Sequence, residues 1–383
     1  MSRAEIRVSV SPGERRIAAL IDDRLEYAAI ERPDRPDGVS DLHAARVSAI
    51  SIPMSGAFLT LADGTTGFLP ESETPPPRRP IAKAVGEGDL IVVRITRAAQ
   101  GGKGPRVSMR LAPEDSATRA TAPGLLRRGP GAAERFCRLL PDAPVVTDSA
   151  ALAARLRPVL GRDRVVLRLD GAFDPVLEDA FAELSSSAVA LDGGARLLIH
   201  PTPALTAIDV DAGSAAGLGG AGAVMAVNEE AAREVARQIR LRDLAGAILV
   251  DFAGLAVKRR EALVEPLARA LRDDPLQPRL LGMTRLGLME IVRPRIHPPL
   301  HEVLGQPPSP LTRLLAAYRV AAREASRGPS RRLVLRAAPE VVGAASLVPT
   351  AAEEYRQMAG RALALRADPA LRPGQEQIED DAA

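Results

Sequence analysis

Two apolar runs, LTAIDVDAG (residues 205–213) and AGAILVDFAGL (residues 245–255), carry carboxylates where a buried strand should carry none without compensation. Each run reads as a strand. An unpaired carboxylate in an apolar setting is costly, so such groups are normally ion-paired, hydrogen-bonded or bound to a metal. In a strand, residues i and i+2 share a face, which points Asp209 and Asp211 the same way. Between the two runs, Ala231, Ala232, Val235 and Ile239 recur at helical spacing over residues 228–244, and Gly246 stops the helix. Strand, helix and strand in that order predict a parallel pair joined by a right-handed crossover, which brings Asp251 beside Asp209. Convergent carboxylates suit a hard divalent cation, magnesium or manganese. The competing reading is that these residues end strands, cap turns or pair with arginines.

Basic residues crowd the same region: Arg233, Arg237, Arg240 and Arg242, then Lys258, Arg259 and Arg260, then Arg285, Arg293 and Arg295. Arginine grips phosphate through two hydrogen bonds, and carboxylate-held metal beside arginine suits phosphodiester chemistry. For Arg237 and Lys258 a solvated helix face competes with that role. The Gly- and Ala-rich loop of residues 212–222 lacks the Lys-Ser/Thr of a phosphate loop and reads as a mobile cover over the acids. His297 and His301 are spaced i, i+4, but Pro298 and Pro299 break the helix a metal pair would need, so both read as structural.

The rest of the chain must position these groups. At 383 residues, with 46% hydrophobic and 26% charged residues, it can build several cores. Aromatics at 2% and no Trp argue against a broad base-stacking platform, and a net charge of only +3 leaves any anionic partner to local arginine clusters. A lone Cys137 excludes a disulfide framework and a Cys-pair zinc site. The first residues lack a signal-like apolar core and no run approaches the roughly 20 apolar residues of a membrane span, so a cytoplasmic protein is expected.

Alternation near the start predicts a hairpin turning at Pro12 and Gly13, and five closely spaced strands over residues 39–111 predict a small barrel. A Pro/Gly/Arg segment then leads into alternating strands and helices. Asp148 or Ser149 is expected as one N-cap. After residues 305–310, a linker, come a helix, a strand and another helix.

LTAIDVDAG, NEEAAREVARQIRLRDLAGAILVDF and TRLGLMEIVRPR, in that order, resemble the catalytic region of the ribonuclease E/G family of bacterial endoribonucleases. GAFLTLADGTTGFLP and GGKGPRVSMRL resemble the OB-fold RNA-binding barrel of the same family. The resemblance runs from about residue 5 to about residue 350. It implies an α/β (α+β, multi-domain) fold. Residues 1–36 and 113–200 would form a shortened RNase H-like sheet, with the OB barrel inserted at 37–112. A DNase I-like catalytic domain would follow at 201–304, then a small C-terminal α/β domain at 311–373 and a disordered tail at 374–383. It further implies magnesium-dependent cleavage of single-stranded RNA, with manganese as the alternative cation. Asp209 and Asp251 match the metal-binding aspartates, and Phe58, Phe68 and Lys103 match RNA-contacting residues of the barrel. Asp211 completes the catalytic set, and Arg237 and Arg240 are added as RNA contacts from the helix.

The sequence departs from the family in four places. Asp211 stands where the family usually has Asn, which adds a negative charge. The loop after it is stripped to Gly and Ala. Residues 113–145 lack the segment that senses a 5′-monophosphate. GQPPSP replaces the Cys-x-x-Cys zinc link, so no structural zinc is expected, and any homodimer would form without that bridge. The first two departures favour an alternative: an RNA-binding protein of the same fold with weakened cleavage.

Overall fold

The computed structural model describes residues 3–77, 79–213, 220–328 and 331–381. Ala4–Ser11 (β1), Glu14–Ile21 (β2) and Arg24–Glu31 (β3) form an antiparallel meander, with Ile6, Val8 and Ile17 fully buried. The expected turn lies at Pro12 and Gly13. A second falls at Asp22 and Asp23, whose φ of +51° and +61° places both in the left-handed region that short aspartate side chains tolerate.

Leu42–Ser51 (β4), Gly56–Thr60 (β5), Thr66–Pro70 (β6), Leu90–Arg97 (β7) and Arg106–Ser108 (β8) close a five-stranded barrel in the order β5-β6-β8-β7-β4, with β4 returning to β5. Val47, Leu59, Leu69, Val93 and Val107 fill it. This unit is longer than the expected 37–112: it comprises Asp37–Gly131 with Pro294–Pro298. Gly124–Arg127 (β9) comes back to pair with β4, setting Arg127 opposite Leu42, and the Ala98 N–H donates to the Ile296 carbonyl at 2.8 Å. His297 Nδ1 lies 2.7 Å from Asp37 Oδ2.

The second unit comprises Met1–Pro36, Ala132–Arg293 and Pro299–Ala383. Val145–Thr147 (β10) and Val165–Leu167 (β11) join the meander in parallel, giving the order β11-β10-β1-β2-β3. Ser149 caps the helix Ala150–Leu160 by accepting from the Leu152 N–H.

A six-stranded mixed sheet follows: Ala188–Ala190 (β12), Arg196–Pro201 (β13), Thr206–Asp211 (β14), Gly246–Asp251 (β15), Arg279–Met283 (β16) and Met289–Arg293 (β17). Its order is β12-β13-β14-β15-β17-β16, so β12 and β13 belong here rather than to a region ending at residue 200. The helix Gly220–Leu241 seats Ala231, Ala232, Val235 and Ile239 on Ile208, Val210, Ile248 and Val250, which covers one face of the sheet.

At the end of the chain Leu333–Ala337 (β18), Ala364–Ala367 (β19) and Gln377–Asp380 (β20) make a three-stranded sheet in the order β19-β18-β20 under the helices Pro310–Arg327 and Pro349–Ala359. Residues 377–380 of the tail expected to be disordered are instead a strand: β20 pairs antiparallel with β18, and Asp380 meets Arg331 at 2.7 Å. Among the described residues no helix is long and apolar enough to cross a membrane.

Candidate functional site

Along β14 the burial alternates. Ile208 and Val210 enter the core, while Asp209 and Asp211 stand on the opposite, open face. β15 runs parallel to β14 and sets Asp251 in direct register with Asp209. Strands so paired lie about 4.8 Å apart, close enough for the two carboxylates to repel each other. The acids thus gather where two parallel strands end, a usual ligand position in sheets crossed by helices. They line an open pocket of about 400 Å³ that also takes in Gly213, Gly254 and Arg260.

The three carboxylates are compensated unequally. Asp251 Oδ1 accepts from Arg260 at 2.6 Å, and the same guanidinium bonds the Leu255 and Gly287 carbonyls, which fixes the loops on either side. Asp211 accepts from the Gly213 N–H at 3.0 Å and from Arg196 at 2.9 Å, and these bonds hold its carboxyl below the usual carboxylate range. Gly213 has φ +54°, and a Cβ there would lie 2.4 Å from the Gly194 carbonyl oxygen, so only glycine fits. Asp209 has neither a hydrogen-bond donor nor a guanidinium partner among the described residues. Partial desolvation raises its carboxyl above the ordinary value, and the charges of Asp251 and Asp211 push the same way. A carboxylate left in that state beside a second one fits a hard divalent cation. Among the described residues no group of three or more His, Cys, Asp or Glu forms a metal cage. That is compatible with magnesium, which commonly takes one or two carboxylates and completes its shell with water and phosphate.

A residue missed in the sequence holds this site together. Asn228 is fully buried on the helix Gly220–Leu241; its Nδ2 donates to the Ala253 carbonyl and its Oδ1 accepts the Ala253 N–H, both at 2.9 Å. That reciprocal pair fixes the loop leaving Asp251. The available signal was a polar residue on the apolar stripe of the helix, three residues before Ala231. Most of the glycine loop expected over the acids, residues 214–219, lies outside the described residues.

Arg237 and Arg240, expected as RNA contacts, are engaged within the fold. Arg237 donates to the Leu25 carbonyl at 2.9 Å and to Glu234 at 2.7 Å. Arg240 bonds Glu26 at 2.5 Å and lies over the Tyr27 ring. Their side chains are 15% and 8% exposed, so both guanidiniums are spent fastening the helix to β3. Arg242 is buried too, donating to Gln238 at 2.6 Å and to the Ser186 carbonyl, and burial pushes its pKa down to about 10. Arg293 reaches Asp274 at 2.7 Å and also bonds Asp243. The stretch RQIRLRDLAG is therefore a scaffold network. Arg233, Lys258, Arg259 and Arg285 remain exposed.

In the barrel, Ala57, Leu59 and Leu69 point inward, while Phe58 and Phe68 stand half-exposed on the outer face, in register, with ring centroids 5.4 Å apart. Gly56 makes room for them: a Cβ there would lie 2.3 Å from Phe68 Cζ. Neither Phe belongs to the barrel core. Lys103 is exposed in the turn before β8, its backbone bridged to Gln100.

Residues 172–296 match the model of the ribonuclease E/G family. A ribonuclease E of a Nostoc species is 36% identical over 209 residues, 50% of this chain and 30% of that protein. A chloroplastic ribonuclease E/G-like protein of Arabidopsis thaliana is 37% identical over 137 residues, covering 34% of this chain and 14% of its own. A ribonuclease G of Haemophilus influenzae is 24% identical over 402 residues, covering 79% and 82%. The chain thus spans less than a third of the ribonuclease E relatives named here.

Proposed function

We propose, from the match of residues 172–296 to the ribonuclease E/G family model and from the ribonuclease E and G relatives, that the chain is a member of that family and a magnesium-dependent endoribonuclease of the cytoplasm that cuts single-stranded RNA internally. The observation that carries this reading is the in-register pair of Asp209 and Asp251, one of them without a hydrogen-bond donor or guanidinium partner among the described residues. We assign the meander with β10 and β11 as RNase H-like, the barrel as OB-type and the mixed sheet as DNase I-like, on the family resemblance.

Asp209 and Asp251 would hold the cation. When bound, magnesium supplies Lewis-acid polarisation of a phosphodiester and a water of lowered pKa; the family resemblance implies 5′-phosphate and 3′-hydroxyl ends. The protein's own residues prepare the place. Arg260 holds Asp251 by one oxygen and leaves the other available, Asn228 fixes the adjoining loop, and exposed Lys258 and Arg259 attract the RNA backbone. The alternative of a weakened RNA-binding protein draws on the added charge of Asp211 and on the stripped loop after it; Arg196 offsets that charge. Incubating a labelled single-stranded RNA with the purified protein tests the reading: fragments are expected with magnesium and none with chelator, and intact RNA in both would overturn it.

The outer face of the barrel offers stacking. Phe58→Ala with Phe68→Ala should weaken single-stranded RNA binding by about 1–3 kcal/mol per stacked base while leaving the melting temperature close to wild type, because the rings lie outside the core. Lys103→Ala should lower the salt slope of binding by about 0.7, the share of one phosphate on a single strand. Fluorescence anisotropy across a salt series reads both, and unchanged affinity in all variants would remove the barrel from RNA capture.

Selection of a 5′-monophosphate needs donors free to surround it. Residues 113–145 lack the family's Arg-Thr pair, and of their five arginines Arg127 is paired with Asp115 at 2.7 Å, Arg128 with Asp41 at 2.5 Å, and Arg119 bonds backbone carbonyls. RNAs carrying a 5′-monophosphate, triphosphate or hydroxyl should therefore be cut at initial rates within about twofold, under roughly 0.5 kcal/mol. A tenfold preference for the monophosphate would contradict this.

A further inference from the structure

We infer that Arg196 is a positioning residue that sets the charge of the acidic site by neutralising Asp211. This rests on the proposed metal-dependent reading of that site. Arg196 and Asp211 are register partners on β13 and β14, and both Nε and an Nη of the guanidinium lie 2.9 Å from Asp211 Oδ2. The second oxygen of Asp211 is taken by the Gly213 N–H at 3.0 Å. Asp211 is thus engaged at both oxygens, in contrast to Asp209.

Charge balance shows what this arrangement does. Counting carboxylates and guanidiniums, three of the former stand against those of Arg196 and Arg260, which leaves one net negative charge beside His200. A divalent cation then reverses the sign and makes the site attractive to a phosphodiester. Without Arg196 the empty site would carry two negative charges. Cations would bind it more tightly and RNA less tightly, and the loaded site would have no net charge with which to attract phosphate. The pair is exposed, at 56% for Arg196 and 37% for Asp211, so solvent screening keeps each effect modest.

The test is a double-mutant cycle of Arg196→Ala, Asp211→Asn and both together. Manganese affinity is read from the paramagnetic resonance of the free ion, and affinity for a fluorescent single-stranded RNA is read in chelator at low salt. Arg196→Ala should bind manganese about threefold more tightly and RNA about threefold more weakly. Asp211→Asn should shift both the other way, and the double variant should return both to wild type. A structural role alone would lower thermal stability and weaken both affinities together. That result, or a double variant that fails to restore both, overturns the inference. A cycle that behaves as described in a protein that leaves RNA intact with magnesium would overturn the nuclease reading and uphold the charge pairing.

Discussion

Cleavage by the Asp209→Asn and Asp251→Asn variants should fall by at least about a thousandfold, which corresponds to about 4 kcal/mol of lost transition-state stabilisation. Each substitution removes one of two carboxylates that face each other across parallel strands, and neither alters the strands' pairing. RNA binding through the barrel should persist. Asp209→Asn carries a second signature. Its carboxyl titrates above the ordinary aspartate value, so in the metal-free protein its ionised form opposes folding. That penalty is complete above the folded pKa and fades as the pH falls toward the unfolded value near 3.9. Metal-free Asp209→Asn should therefore melt no lower than wild type at neutral pH, with wild type catching up on acidification. Magnesium should raise the melting temperature of wild type and leave that of the variant unchanged. Scanning calorimetry with and without magnesium measures this, and turnover near the wild-type rate in both variants would end the metal-site assignment.

Replacement of Arg293 by Met should destabilise the fold by about 3–5 kcal/mol, the cost of removing one partner from a buried ion pair. Arg293 is 4% exposed at the end of β17 and Asp274 is 1% exposed. The guanidinium joins Asp274 by two bonds, Asp243 by another and the Leu244 carbonyl at 3.2 Å, so it ties β17 to the segment after the long helix and to the turn after Val264–Leu271. Methionine fills the volume and leaves two carboxylates uncompensated. Urea unfolding reads the change. The exposed pair of Arg269 and Glu265 is the control, and Arg269→Met should move the midpoint little. Equal effects of the two substitutions would contradict the account.

The acidic pair was legible because two local rules suffice for it. Alternation puts Asp209 and Asp211 on one face, and a strand–helix–strand order makes β15 the parallel neighbour of β14. The fate of the arginines was not legible. Arg240 pairs with Glu26, 214 residues earlier in the chain, and no local spacing distinguishes it from the exposed Arg233 on the same helix. Arg196 was missed for a related reason, since its meaning comes from the β13–β14 register. Phe58 was recoverable: in GAFLT the inward positions are already filled by Ala57 and Leu59, which leaves the ring outside. The tail misled because QEQIED is too polar to bury much by itself. β18 supplies an edge with backbone groups to pair, and Ile378 adds an apolar contact to the terminal core.

The return of β9 to β4 shapes how the chain can fold. In the first sheet Ile6 of β1 pairs with Val145 of β10, so that sheet must close over the whole inserted barrel. Contacts so distant in sequence are slow to form, because closure entropy is lost before the contact forms. The five barrel strands and β9, however, all lie within residues 42–127, and Arg127 ends opposite Leu42, one strand spacing from where the barrel begins. Once formed, the barrel acts as a short, stiff bridge. It reduces a gap of roughly 110 residues to roughly 20 flexible ones and lowers the loop-closure cost by about 1.5 kcal/mol. The insertion that separates β3 from β10 in sequence thus brings them back within reach of each other in kinetic terms.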